Sequence, residues 1–466
     1  MGSEELNPQI IKELKGIVGS DNVLDTLEER TTYSYDVTFK SYLPEVVVLP
    51  MQTEQVAEIL KLANRELIPV YPRGAATGLS GGSLPVLGGI ALSLVKMNRV
   101  LEIDCNNMVA VVEAGVTTGN IHLEVEKLGL FYPPDPASSS TCTIGGNIAE
   151  CAGGPRGLKY GVTKDYVLGL ELVTPTGEII ATGGKTLKNV TGYDLTRLMI
   201  GSEGTLGVIT KAFLRLIPKP KAVKTLLVVF DDLNKAGEAI VTIPRLGVTP
   251  ATLEIMDSLT IACAEKYAPS GLPLDADAVL LIEVDGNQSV IDEEAKIIAD
   301  ICANLKARRV VIANSEEERQ KLWKARKSLS SAIVKIKPTK ISEDATVPRA
   351  QVPEMIKCLQ EIRQKYKLNL FIYGHAGDGN LHPNIIADQR DSEEMERVEK
   401  AIEEIFKVAL SLGGTLSGEH GIGNMKSSFI IQQIGKDSLE YMKKIKDSLD
   451  PNGILNPGKI FPVEGP

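Results

Sequence analysis

Pro72-Arg73-Gly74-Ala75-Ala76-Thr77-Gly78-Leu79-Ser80-Gly81-Gly82 follows directly on the apolar run Ile68 to Tyr71. Glycines and small hydroxyl residues at this density form a loop, and its consecutive backbone amides make a concave anion site suited to a pyrophosphate. Upstream, Val46 to Leu49 reads as a buried strand. Thr53 to Arg65 carries Val56, Ile59, Leu60 and Ala63 on one stripe and reads as a helix, and Ile68 to Tyr71 as a second strand. Strand, helix, strand and glycine loop is an α/β order. The loop opens a glycine-rich region: 23 of the 42 glycines fall between Arg73 and Gly207. Backbone there must approach something closely.

A second loop runs Pro134-Asp135-Pro136-Ala137-Ser138-Ser139-Ser140, then Thr143-Ile144-Gly145-Gly146-Asn147, then Gly153-Gly154. It adds further small donors. Two commoner nucleotide signatures fail. Gly183-Gly184-Lys185-Thr186 has the ending of a phosphate-binding P-loop, but Ile179 stands where its first glycine belongs. No Gly-x-Gly-x-x-Gly occurs, so a Rossmann dinucleotide site is unsupported.

The chain has 466 residues, enough for two or three domains, with 43% hydrophobic and 24% charged residues. Disordered, collagen-like and disulfide-miniprotein classes are excluded. The net charge of -9 argues against a nucleic-acid backbone or an anionic membrane surface as the main partner. Six cysteines without a Cys-x-x-Cys pair lack zinc-ribbon and iron-sulfur spacing and fit a reducing, cytoplasmic compartment. Met1 to Gln9 is polar and acidic, and no apolar run reaches the length of a spanning helix, so neither secretion nor a membrane span is expected.

Pro218 to Lys221 reads as a linker, after which a second α/β or α+β domain begins with Leu226 to Phe230, a helix, and Ala278 to Val284. Ser315 followed by Glu318 is a capping box, opening a helix with Trp323, Arg326 and Ser330 on one face. Helices near Pro353 to Lys367 and Ser392 to Leu412 flank a short strand, Leu368 to Tyr373. Of four histidines, His375, His382 and His420 lie within 46 residues. Gly374-His375-Ala376-Gly377-Asp378-Gly379-Asn380-Leu381-His382-Pro383-Asn384 contains three glycines and reads as a loop leaving that strand, with both imidazoles on it. Glu419 and His420 stand between Gly418 and Gly421. Two imidazoles and a carboxylate suit a borderline divalent ion that keeps a position open for substrate. His122, between Ile121 and Leu123, reads as an ordinary residue of an amphipathic helix.

The two loops, together with Gly201-Ser202-Glu203-Gly204-Thr205-Leu206-Gly207, resemble the FAD-binding domain of vanillyl-alcohol-oxidase-type flavoproteins. The whole chain resembles the family that unites FAD-linked D-lactate dehydrogenases, D-2-hydroxyglutarate dehydrogenases and the D subunit of glycolate oxidase. That resemblance implies an α+β fold: an FAD-binding domain over 1–218, a cap domain over 219–424 with a helix-covered sheet and the metal site, and a helical segment, 425–466, returning to the FAD domain. It implies cofactor contacts at Arg73, Gly74, Ala75, Thr77, Gly78, Leu79, Ser80, Gly81, Pro134, Asp135, Ser138, Thr143, Gly145, Gly146, Asn147, Gly153, Gly154, Glu203, Gly204, Ile209 and Asn456. It further implies metal ligands (Zn, Fe or Mn) at His375, His382 and Glu419, a catalytic base at His420, Asn384 near the substrate, and Arg326 with Lys340 on the substrate carboxylate. The arginine motif usually continues with an acid, where this chain has Lys327. Covalently flavinylated relatives carry a histidine in or just after the first loop. Arg73 to Gly82 has none, which implies non-covalent FAD.

The expected activity is oxidation of a small D-2-hydroxy acid, D-lactate first, with glycolate or D-2-hydroxyglutarate dehydrogenase or oxidase as the alternative. A non-catalytic flavin-binding subunit is the competing class. Without a dinucleotide fingerprint, clustered cysteines or a membrane segment, the electrons are expected to leave to a protein such as an electron-transfer flavoprotein.

Overall fold

The computed structural model describes residues 6–462; the acidic start Met1 to Glu5 and residues 463–466 lie outside the described residues. The chain divides into two compact units. One takes Met1–Ala152, Val162–Lys219 and Glu419–Pro466, the other Gly153–Gly161 and Pro220–Gly418. Against the division drawn at 424, packing separates the units at Gly418, and nine residues of the glycine-rich region join the second unit.

In the first unit β1 (Val23–Leu24), β2 (Val46–Val48), β3 (Val70–Arg73) and β4 (Ile90–Ser93) form a sheet in the order β1-β2-β4-β3, with β2 and β3 both parallel to β4. A parallel pair needs a crossover. α1 (Thr53–Glu66) supplies it, burying Val56, Ile59, Leu60 and Ala63. Leu67, in the left-handed conformation, ends that helix and turns the chain into β3. β5 (Val100–Asp104), β6 (Val109–Glu113), β7 (Val167–Val173), β8 (Ile179–Gly183) and β9 (Val208–Arg215) form an antiparallel sheet in the order β5-β6-β9-β7-β8. Helix α2 (Ile144–Glu150) starts inside the second glycine loop.

The second unit is an eight-stranded antiparallel sheet with helices on both faces. Its strands are β10 (Ala222–Phe230), β11 (Thr252–Asp257), β12 (Ala278–Gly286), β13 (Arg309–Ile312), β14 (Thr339–Ser342), β15 (Asn369–His375) and β16 (Asn380–Ala387), in the order β13-β10-β12-β11-β15-β16-β14, and Ala345–Thr346 pairs with β16. Alternate residues take opposite faces. Leu253, Ile255, Leu280, Ile282, Leu370 and Ile372 pack under α3 (Leu233–Arg245), α5 (Gln288–Asn304), α7 (Val352–Tyr366) and α8 (Ser392–Ser411). On the other face Met256, Leu281, Phe371, Tyr373 and Ile386 meet α4 (Ser258–Tyr267) and α6 (Glu316–Ile333). Ser315 caps α6 by accepting from the Glu318 amide, but the Glu318 side chain accepts from the Asn314 amide instead of from Ser315, so only half of the expected capping box forms.

Candidate active site and cofactor cradle

The same alternation that sorts the two cores places the chemistry. Glu254 on β11, Tyr373 and His375 on β15, His382 and Asn384 on β16, and Lys340 on β14 fall on the face covered by α6, which brings Arg326 to it. Register fixes the neighbours: Tyr373 is opposite His382, Phe371 opposite Asn384, and Lys340 opposite Ile386. The stretch 374–384 is therefore mostly strand. The loop expected there shrinks to a turn at Ala376–Gly379, and His382 and Asn384 stand on a buried strand. Gly379, at φ 91°, closes this hairpin, and a Cβ on it would lie 2.0 Å from the Val347 carbonyl oxygen.

His375 and His382 are both buried, with ring centroids 4.9 Å apart and planes at 89°. Glu254, fully buried, puts Oε1 2.5 Å from His375 Nδ1 and accepts from Arg326 Nε at 2.6 Å on Oε2. Burial opposes its charge, but His375 and Arg326 hold its carboxyl below the usual range. The Arg326 guanidinium also lies over the Tyr373 ring, 4.9 Å from its centroid. Lys340 Nζ donates to Ser330 Oγ at 2.7 Å; burial and the neighbouring Arg326 pull its pKa down to about 8. Asn384 Nδ2 donates to the His382 carbonyl at 2.9 Å, and its Oδ1 is buried with no protein partner among the described residues. Asp344 has Oδ1 4.0 Å from His382 Nδ1, while its Oδ2 accepts from Ser417 Oγ and the Gly418 amide, both at 2.8 Å. Gly418 is the residue before Glu419 and His420, so this unit fixes the point from which that dipeptide leaves.

Sequence reasoning missed Glu254 and Asp344. The signal for Glu254 was an acid between Leu253 and Ile255 in a strand buried along its whole length.

In the first unit the two glycine loops meet: a Cβ on Gly74 would lie 2.0 Å from Thr143 Oγ1. Residues 74–79 are half-buried and Ala76 takes φ 54°, a left-handed strain of about 1–3 kcal/mol. Ser80 Oγ, Ser83 Oγ and Asn424 Oδ1 are buried with no protein partner among the described residues. Buried polar atoms are ordinarily satisfied, so partnerless hydroxyls beside a strained glycine loop fit a polar ligand such as the FAD pyrophosphate.

Several other expected contact residues act as braces. Arg73 donates to the Tyr33 and Tyr35 carbonyls at 2.5 and 3.5 Å, and Asn147 to Thr118 Oγ1 at 2.6 Å. Glu203 accepts from the Ile422 and Gly423 amides at 2.7 and 2.6 Å. Asn456 Nδ2 donates to the Gly82 and Glu203 carbonyls at 3.0 and 2.6 Å. The Pro134 carbonyl meets His122 Nε2 at 2.9 Å, and Asp135 follows it. The Ser138 carbonyl closes a turn onto Thr141 and Cys142. Gly145 packs on Ala114, Gly146 stands beside Thr143, and Gly204 approaches Pro72 and Asn456. Ile209 is buried in β9, while Gly153 and Gly154 belong to the second unit. Burial and the adjacent Glu203 carboxylate push Glu150 well above the usual carboxyl range. Burial pulls Lys459 down to about 7 despite three carboxylates around it.

The sequence pattern of the FAD linked oxidases, C-terminal domain, matches residues 219–460, and that of the FAD binding domain matches 44–183. The chain belongs to the FAD-linked oxidase family. The two patterns cover both the cradle and the histidine strands. It is 46% identical to glycolate oxidase subunit GlcD of Bacillus subtilis (strain 168), over 99% of this chain and 97% of that one. It is 37% identical to D-lactate dehydrogenase of Archaeoglobus fulgidus, over 94% and 97%. Two solved structures share its fold at low identity. They are p-cresol methylhydroxylase (TM-score 0.83, 19% identity, covering 97% of this chain and 96% of that one) and 4-ethylphenol oxidase from Gulosibacter chungangensis (0.80, 20%, 99% and 98%). The fold is the vanillyl-alcohol-oxidase type, and the protein is an FAD-dependent oxidoreductase.

Proposed function

We propose that this oxidoreductase converts a small 2-hydroxy acid, D-lactate or glycolate, to its 2-oxo acid. The observation that carries this reading is the single sheet face on which Arg326, Lys340, His375, His382 and Asn384 converge. Arg326 and Lys340 bind the substrate carboxylate, a charge-assisted contact that fixes orientation. Asn384, whose Oδ1 is buried with no protein partner among the described residues, lies near the substrate. His375, His382 and Glu419 would hold a divalent ion, and His420 takes the hydroxyl proton as the Cα hydride departs. Bound FAD supplies the hydride acceptor at N5, and the ion supplies Lewis acidity at the 2-hydroxyl.

Relatives are named for glycolate and for D-lactate, so both substrates enter the test. Anaerobic bleaching of the flavin absorbance, screened over glycolate, D-lactate, L-lactate and D-2-hydroxyglutarate, tests the reading. Reduction by glycolate or D-lactate and not by L-lactate is expected; no bleaching by any of the four rejects it in favour of a flavin-binding subunit. FAD is held non-covalently, so acid precipitation should leave a colourless pellet and a yellow supernatant.

A further inference from the structure

Glu254 is an acid on the active face that the proposed chemistry does not use, yet it touches both halves of the site. Its two oxygens are divided: Oε1 lies against His375 Nδ1 at 2.5 Å, and Oε2 against Arg326 Nε at 2.6 Å. It is fully buried, on the central strand β11, so water cannot replace either contact. Arg326 has only N–H groups to offer, which requires an acceptor at Oε2. The oxygen at Oε1 is likewise an acceptor. His375 therefore carries its proton on Nδ1, and the Nε2 lone pair is the ligating atom. A carboxylate behind a ligating imidazole sets ring tautomer and orientation and raises ligand basicity. Here the same carboxylate also holds the guanidinium, which lies over the Tyr373 ring.

We infer that Glu254 is a positioning residue that ties the metal-ligating state of His375 to the placement of Arg326, so that one buried carboxylate organises ion binding and substrate-carboxylate binding together. The inference rests on the ligand set proposed above. It gives Glu254→Gln a specific consequence, because an amide has one accepting end and one donating end. With oxygen toward Arg326, the NH2 donates to His375 Nδ1 and moves the ring proton to Nε2, which blocks ligation. With oxygen toward His375, the NH2 opposes the Arg326 N–H. The first orientation keeps both contacts but forfeits ligation; the second permits ligation but loses the Arg326 contact, and bound Zn²⁺ selects the second.

The test uses FAD-loaded full-length chain stripped of metal and titrated with Zn²⁺ alone. Glu254→Gln should bind Zn²⁺ roughly 10–100-fold more weakly while retaining FAD. At saturating Zn²⁺ its KM for the substrate found in the flavin-bleaching screen should stay raised at least about 10-fold, since the arginine arm is separate from the ion. Should Glu254→Gln fail to fold, the comparison of Arg326→Met with Glu254→Gln/Arg326→Met removes the buried charge imbalance. The double variant should then bind Zn²⁺ more weakly than Arg326→Met. Equal Zn²⁺ affinity in either comparison, or a KM that returns to the wild-type value once Zn²⁺ saturates, overturns the inference. Wild-type protein that binds no Zn²⁺ sinks the ligand set beneath it, a result distinct from wild-type and variant binding alike.

Discussion

Arg326 is buried and Lys340 half-buried, and what each would lose on truncation follows from the charge it places on the active face. Arg326→Ala and Lys340→Ala should each raise KM for the hydroxy acid, by the equivalent of about 2–5 kcal/mol where a buried charge loses its partner. Steady-state kinetics read this directly, and an unchanged KM would remove the residue from the carboxylate site. Lys340 adds a pH dependence with a fixed sign. Below about 8 its ammonium is charged and binds the carboxylate; raising pH through that value removes the proton and the attraction. KM should therefore rise above about pH 8 in wild type, and the rise should vanish in Lys340→Met. The histidines are legible in the sequence because three of the four cluster. Glu254 is not, since its meaning depends on contacts to residues 121 and 72 positions away.

The hairpin of β15 and β16 shows why a loop reading of 374–384 is only partly right. Three glycines argue against a helix, correctly, but a strand pair needs glycine only where the chain reverses and crowds its neighbours. Gly379 is such a place, with positive φ and the Val347 carbonyl in the space of its missing Cβ. Gly379→Ala should destabilise the second unit by about 1–3 kcal/mol, seen as a lower melting temperature. Because His382 lies three residues on, weaker Zn²⁺ binding should accompany it. Helix α6, by contrast, is legible from its cap and spacing: Trp323 donates to Glu283 at 2.7 Å while Arg326 reaches Glu254, as residues one turn apart should.

Across the whole molecule, no helix among the described residues is long and apolar enough to cross a membrane. If a protein such as an electron-transfer flavoprotein takes the electrons, substrate-dependent reduction of that acceptor should outrun peroxide formation in air; the reverse would identify an oxidase. The break between the two units at Lys219 falls in the Pro/Lys stretch 218–221, which local composition makes legible. The transfer of Gly153–Gly161 to the second unit is hidden from sequence: Lys159 and Tyr160 there hold Asp285 at 2.5 and 2.7 Å, a pairing that local composition cannot reveal. The interleaving also sets a schedule for synthesis. Asn456 bonds the Gly82 carbonyl across 374 residues of chain, and Lys459 reaches the Leu84 carbonyl across 375. A nascent polypeptide still lacking that stretch has made both glycine loops but not the struts that hold the first one shut. Flavin capture is then a late event, after the ribosome has released those residues, and chains arrested before position 450 should emerge colourless however much FAD surrounds them.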